Sequence, residues 1–162
     1  MIYSKRLNDY VPISVTSQQY FIDDFGKFTR YTVKDGKIPV GTVDLKDIDT
    51  GVKVMFIENV HPDLYSGFGA IADQIEVEHC KKLNMDKFEI VSEAALNSHA
   101  LHYKRGKRFC DERVNRFLDD LIKNTAEGVK FNTRKLGIQK MFMPQEMIAN
   151  ILQKAKVSPL LK

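Results

Sequence analysis

The chain is short of the residues and runs that mark several protein classes. Its 162 residues include only two cysteines, Cys80 and Cys110. They form neither a CxxC pair nor a disulfide framework, and two idle thiols fit a reducing compartment. The longest apolar run is Val54-Met55-Phe56-Ile57, far below the ~18 residues that span a bilayer. Lys5 and Arg6 are followed by no apolar stretch, so a signal peptide is not expected. Nine glycines and five prolines are scattered, and no segment repeats. Collagen-like and low-complexity readings are thereby excluded. These absences predict a soluble, cytoplasmic protein with no membrane partner.

What is present is ordinary globular material. Apolar residues make up 43% and charged residues 28%, with ten Phe and six Tyr for a core. This length fits one domain spanning 1–162. The net charge of +4 is unevenly placed. Residues 1–101 hold 11 basic and 15 acidic side chains, whereas residues 102–162 hold 14 and 6. A basic C-terminal third is compatible with a phosphate-bearing ligand, a nucleic acid or an acidic partner.

The first 26 residues show no clear period. Phe28 to Asp35 and Lys37 to Leu45 read as two strands joined at Asp35-Gly36, with Pro39 near a strand end or on an edge. Val52 to Val60 is the strongest strand. Ala70 to Leu83 has helical spacing, with Asn84 as its end cap. Lys87 to Ser92 reads as a strand, followed by a short helix from Asn97 or Ser98 to Arg105 that Gly106 ends. Asp111 to Lys123 is an amphipathic helix, Lys140 to Met143 a strand, and Pro144 opens a last helix to about Lys156. The order predicts a mixed α/β sheet with helices packed on it.

The stretch Val60-His61-Pro62-Asp63-Leu64-Tyr65-Ser66-Gly67-Phe68-Gly69 lies between the strongest strand and a helix. A helix N-terminus leaves unpaired N–H groups and carries about +0.5 charge. Glycines before it let phosphates approach the backbone. Such a junction can cradle a pyrophosphate, or be a tight turn that needs glycine for positive φ. It contains neither GxxxxGK[ST] nor GxGxxG.

The segment resembles the acetyl-CoA-binding segment of the GNAT superfamily of N-acetyltransferases. There a strand ends in a Val-x-Pro-like turn, and a Gln/Arg-x-x-Gly-x-Gly/Ala loop opens a helix whose amides hold the coenzyme A pyrophosphate. Val60-His61-Pro62-Asp63 matches the strand end and Gly67-Phe68-Gly69 the glycines. A second block, Asn97-x-x-Ala100 and then Tyr103-Lys104-Arg105-Gly106-Lys107-Arg108-Phe109, is similar to the family's Asn-x-x-Ala…Tyr-x-x-x-Gly-Phe segment. The likeness covers about residues 28–109 and leaves 110–162 as a helical C-terminal extension. The family's Gln/Arg position falls here on Leu64 or Tyr65. Tyr103 stands six residues after Asn97 where the family has seven, and Lys104 takes the usual place.

The resemblance implies an α/β (α+β) fold, a mixed and mostly antiparallel sheet flanked by helices. It implies an acyltransferase that moves an acetyl group from acetyl-CoA, as co-substrate, to an amine by direct attack. Glu58 is then the first candidate base, His61 the second, and Tyr103 the acid that protonates the leaving thiolate. Asn59 and Val60 would meet the thioester, and Tyr65, Ser66, Gly67, Phe68, Gly69 and Ala70 the pyrophosphate. Asn97 would contact the pantetheine arm, with Lys104 beside it, and Arg105, Lys107 and Arg108 could also meet phosphates. The acidic first hundred residues favour a cationic acceptor, with Asp23, Asp24, Asp44 and Asp47 as contributors. No metal is expected, since His99 and His102 lack a third ligand at recognisable spacing. Each assignment has a plain structural counterpart: Glu58 as a solvated sheet residue, Tyr103 as packing, Asn97 as a helix cap. The alternative function is a catalytically degenerate module that binds coenzyme A or a protein partner. A basic nucleic-acid binder working through residues 102–116 is the weaker alternative. Exposed sheet edges and an appended helix would also allow a homodimer.

Overall fold

The computed structural model describes residues 1–24 and 26–162. The strands are β1 (Ile2–Ser4), β2 (Asp9–Val11), β3 (Ser14–Ile22), β4 (Gly26–Asp35), β5 (Ile38–Ile48), β6 (Gly51–Asn59), β7 (Tyr65–Ser66), β8 (Glu89–Ala94), β9 (Arg108–Phe109) and β10 (Gln139–Phe142). The helices are α1 (Phe68–Lys82), α2 (His99–Arg105), α3 (Glu112–Asn124) and α4 (Gln145–Val157), with a 3-10 turn at Arg134–Leu136. The strands fall in the order β3-β4-β5-β6-β8-β10-β9, and β2-β1-β7 form a small sheet. The fold is thus mixed α/β around a mostly antiparallel sheet. The C-terminal third holds α3, the 3-10 turn, β10 and α4, with irregular chain over 125–133. No described helix is long and apolar enough to cross a membrane.

Two compact units divide the chain: Met1–Ile90 with Asn150–Lys162, and Val91–Ala149. In the first, β3 to β6 form an antiparallel meander. The β4–β5 hairpin closes at Asp35↔Ile38 around Gly36, whose φ of 57° suits glycine. Pro39 pairs with Lys34 beside a register shift that leaves Val40 unopposed, the kind of irregularity that lets a strand hold proline. The first 26 residues contain β1 and β2, of three residues each and too short to display a period, and β3, nine residues long but with no buried face to impose an alternation. β1 pairs with β2 at Tyr3↔Tyr10 and with β7 at Tyr3↔Ser66.

Helix α1 packs on β5 and β6. Its Phe68, Ile71, Ala72, Ile75, Val77 and Cys80 are buried, as are Val33, Val43, Leu45 and Val52 of the strands. Unusually, its polar residues are buried too. Glu78 accepts from the backbone N–H groups of Leu160 (2.9 Å) and Leu161 (3.1 Å) and from Gln74 Nε2 (2.9 Å). Gln74 Nε2 also donates to the Ser158 carbonyl at 2.8 Å. The segment after α4 is therefore strapped along α1 by hydrogen bonds that the periodicity of neither segment reveals.

His79 lies between the Tyr31 hydroxyl (2.7 Å, Nδ1) and the Asp47 carboxylate (2.6 Å, Nε2). Asp47 can only accept, so Nε2–H donates to it, and in that tautomer Nδ1 accepts the hydrogen bond that the Tyr31 hydroxyl donates. Burial first, then Asp47, pushes the Tyr31 pKa up to about 12. The folded chain therefore holds this proton where the unfolded chain, near pH 10, has lost it. The contribution is complete below pH 10 and disappears as pH rises to 12, by roughly 3 kcal/mol. Tyr31→Phe is expected to flatten that part of the stability–pH curve, measured by thermal unfolding between pH 9 and 12.

In the second unit, Ala94, Ala100, Phe109, Val114, Leu118 and Met141 form the core, with Tyr103, Phe117 and Leu121 packed against it. The stripe Val114, Phe117, Leu118, Leu121 follows helical spacing along α3. Asp111 caps the helix by accepting from Arg113 N–H at 3.0 Å. Buried Asn115 clamps β9 from α3: it accepts from Phe109 N–H (2.8 Å) and donates to the Phe109 carbonyl (2.9 Å). β10 pairs with β8 (Gln139↔Ala94) and with β9 (Met141↔Phe109).

Candidate functional site

The loop singled out by sequence lies in the first unit. After β6, His61 to Leu64 turn back, with Leu64 and Tyr65 N–H groups bonded to the His61 carbonyl at 3.0 and 3.1 Å. Tyr65 and Ser66 then pair with β1. Gly67 is the N-cap of α1 at φ 90°, a left-handed conformation that glycine adopts freely. A Cβ there would meet nothing within 4 Å, so backbone conformation rather than space selects glycine. No side chain caps the helix and no acidic residue stands in its first turn. The amides opening at Phe68, Gly69 and Ala70 thus begin a 15-residue helix with its dipole uncompensated.

The other residues of this segment have distinct positions. Ser66 and Gly67 are exposed, and Phe68 is buried. Tyr65 is 3% exposed and its hydroxyl donates to Asp35 Oδ2 at 2.8 Å. Burial, then that hydrogen bond, pushes its pKa up, against the guanidinium of Arg6. Its side chain is a packing residue, so only its backbone faces the loop's chemistry. Two cations not anticipated from sequence stand beside the loop. Lys5 N–H donates to the Leu64 carbonyl at 2.8 Å, and Lys5 Nζ to the Pro62 carbonyl at 2.9 Å. Arg6 follows it. The pairing of β1 with β7 brings them there, and a pairing between residues some sixty apart leaves no local signal.

At the end of β6, Glu58 and Asn59 are exposed and His61 is half-buried. Asn59 pairs with Gly41 and Glu58 with Thr42. The Glu58 carboxylate takes no hydrogen bond from any described residue. Val60 N–H is committed to the Val40 carbonyl at 3.0 Å. Antiparallel alternation then turns the Asn59 N–H away from β5. Of the pair predicted at this point, Asn59 is therefore the one whose N–H β5 does not take, and Val60 the one whose N–H it does.

The aspartates expected to attract a cationic acceptor do not form one patch. Asp44 is buried in a bidentate pair with Arg30, at 2.7 and 2.8 Å. Asp47 is held by His79. Asp23 and Asp24 are exposed just after β3.

The second predicted block lies in the second unit. Asn97 Oδ1 accepts from Thr133 N–H at 3.2 Å. Ser98, not Asn97, is the N-cap of α2, and its hydroxyl bonds back to the Ala95 carbonyl. Gly106 ends α2 at φ 117°. Tyr103 donates to Asp119 Oδ1 at 3.0 Å, and Arg108 stacks on its ring with the guanidinium carbon 4.1 Å from the centroid. Burial, then the bond to Asp119, pushes the Tyr103 pKa up. Exposed Lys104 reaches over the Phe131 ring at 5.5 Å. Lys107 is fully buried, so it offers no charge to a ligand at the surface. Buried His99 donates from Nε2 to the Gly137 carbonyl (2.7 Å) and accepts at Nδ1 from the Thr133 hydroxyl (2.9 Å), a satisfied core histidine.

No protein-family model and no curated protein matches this chain. Solved structures do. An acetyltransferase of Bacillus subtilis in complex with CoA is 16% identical, with a TM-score of 0.54 over 82% of this chain and 98% of that one. An IAA acetyltransferase from Bacillus cereus is 15% identical, with a TM-score of 0.50 over 80% of this chain and 99% of that one. At these identities the likeness is one of fold: the chain has the fold of these two acetyltransferases, a mixed α/β fold of the kind the resemblance in its sequence implies.

Proposed function

We propose that this chain is an N-acetyltransferase that transfers the acetyl group of acetyl-CoA to an amine. One observation carries the reading: an uncapped helix N-terminus with no acidic residue in its first turn opens at a left-handed glycine, directly after β7 and one loop beyond the end of the central strand β6. Four N–H donors at a helix start, together with the dipole, favour a pyrophosphate. Ser66 to Ala70 supply that cradle. Lys5 and Arg6 supply the positive charge that Leu64 and Tyr65 cannot.

In the proposed reaction the amine nitrogen attacks the thioester carbon. A C–N bond forms, the C–S bond breaks, and the amine's proton passes to a base. Glu58 is that base, directly or through water, with His61 as the second candidate. The Asn59 N–H is the donor for the oxygen on which negative charge develops. Tyr103 gives its proton to the departing thiolate. Its raised pKa keeps that proton in place at neutral pH. Asn97 and Lys104 serve the pantetheine arm. The protein acts as a soluble cytoplasmic enzyme, and no metal takes part in these steps.

The test is thermal unfolding with and without acetyl-CoA. Ligand at 100 times its Kd is expected to add about 2.7 kcal/mol, a rise of several degrees at this chain length. Gly67→Glu is expected to abolish the rise, because it sets a carboxylate against the helix amides. Its own strain, roughly 1–2 kcal/mol for a side chain at positive φ, leaves the fold intact. Lys5→Ala with Arg6→Ala is expected to weaken the rise in proportion to the charge removed. No rise in the parent at millimolar ligand would sink the proposal.

A second reading has its own observation. The Tyr103 hydroxyl is engaged by Asp119, which suits a coenzyme A-binding module without turnover. Stabilisation by acetyl-CoA with no product on any amine would select it.

A further inference from the structure

Among the described residues β3 pairs with β4 alone and forms the outer edge of its sheet. Pairing runs over nine residues, from Ser14↔Lys34 to Ile22↔Gly26, with no register shift. An edge strand leaves the N–H and C=O groups of alternate residues pointing outward. Sheets commonly blunt such an edge with lysine, proline, a bulge or a short strand. β3 has none of these. Its sequence, Ser-Val-Thr-Ser-Gln-Gln-Tyr-Phe-Ile, contains no charge and no proline. Phe21 is 71% exposed and Ile22 46%.

We propose that β3 is the surface by which two copies of this chain associate, each strand pairing antiparallel with its mate about Gln18. The occupant follows from the strand's own sequence. Centred on Gln18, all nine residues are matched: Ser14 with Ile22, Val15 with Phe21, Thr16 with Tyr20, Ser17 with Gln19. Paired residues share a face, so exposed Phe21 lies against half-buried Val15 of the second copy at both ends of the ribbon. No charge meets a like charge. Asp23 and Asp24, just past Ile22, fall opposite the uncharged Ile13 and Pro12. The two acidic turns end up about 34 Å or more apart at ~3.4 Å per residue, beyond the Debye length of ~8 Å at physiological salt. A charged peptide would find no complementary charge along this edge. This proposal does not depend on the acetyltransferase reading.

Sedimentation of the purified chain, from low to a few hundred micromolar, reads the association. The parent is expected to pass from monomer to dimer across that range. Gln18→Lys places two ammonium groups across the twofold and is expected to stay monomeric. Gln18 is exposed in the single chain, and the one hydrogen bond it would lose there, from the Tyr20 hydroxyl at 3.0 Å, is exposed too, so the unfolding temperature of this variant at low concentration should stay close to the parent's. In a Cys110→Ser background, Gln18→Cys is expected to form an interchain disulfide on mild oxidation, because directly opposed residues meet the Cα separation a disulfide needs. Val15→Cys, which faces Phe21, is expected not to. A parent monomeric throughout overturns the proposal. So does a dimer that survives Gln18→Lys, or cross-linking of Val15→Cys as readily as Gln18→Cys.

Discussion

Gly41→Ala is expected to lower the midpoint of thermal unfolding by up to about 10 °C. Overpacking a filled interior costs about 1–3 kcal/mol, and each kcal/mol is worth ~2–4 °C in a chain of this size. The added methyl would land inside van der Waals contact with the Glu58 carbonyl oxygen and 2.5 Å from Phe68 Cζ. The carbonyl belongs to the backbone of β6, which β5 holds by pairing on that side, so it cannot swing aside as a side-chain tip would. Phe68 is buried and opens α1. Relief must therefore come from moving the end of β6, the start of α1, or both. Those two ends carry Asn59 and the proposed pyrophosphate cradle. The acetyl-CoA-induced rise in midpoint is expected to shrink in the same variant. Gly67→Ala is the control for backbone conformation, since it meets no neighbour and only its φ of 90° is unfavourable. A Gly41→Ala protein with the parent's midpoint would mean that this close approach relaxes at no cost.

Gly41 also illustrates what sequence could and could not reveal. The hairpin, the central strand, the glycine loop and the helix after it were legible because each rests on local rules of period, turn residues and capping. Gly106 caps α2 as those rules expect, whereas α1 is capped by Leu83 with Asn84 one residue beyond it, and both Gly106 and Asn84 have positive φ. Long-range contacts leave no such trace. The requirement for glycine at position 41 arises from β6 and α1 together. Lys5 reaches the loop because β1 pairs with β7. Glu78 is an unremarkable glutamate until Leu160 and Leu161 bring their N–H groups to it. Burial also reassigned residues whose type suggested ligand contact. Tyr65 has the place of a loop residue facing phosphate, yet its side chain is packed and its hydroxyl bonded to Asp35. Lys107 stands in a run of cations, yet it is buried. A run of basic residues at the end of a short helix cannot tell which of them turn inward.

Glu58→Gln is expected to lower kcat by about 10²–10⁴, the usual worth of a general base, with acetyl-CoA binding unchanged. Glutamine keeps the shape and removes only the basicity, and it perturbs no hydrogen bond because the carboxylate has no partner among the described residues. A solvated sheet residue would give no such loss, so the kinetics separate the two roles of Glu58. Phe56 lies two residues earlier on the same strand and is 54% exposed, so it shares a face with Glu58 and offers apolar surface beside it. An amine lying on that face would leave part of its water, which lowers its pKa and makes its proton easier to remove. If His61→Ala abolishes turnover and Glu58→Gln does not, the histidine is the base. Tyr103→Phe probes the other half of the reaction. It removes the proton proposed for the thiolate and also breaks the bond to Asp119. Asp119→Asn separates these effects: it removes the charge that holds the phenol while leaving its proton. If Tyr103 is the acid, Tyr103→Phe lowers kcat far more than Asp119→Asn does. Equal losses in the two variants would mean that the pair is a structural tie between α2 and α3, with the thiolate's proton coming from elsewhere.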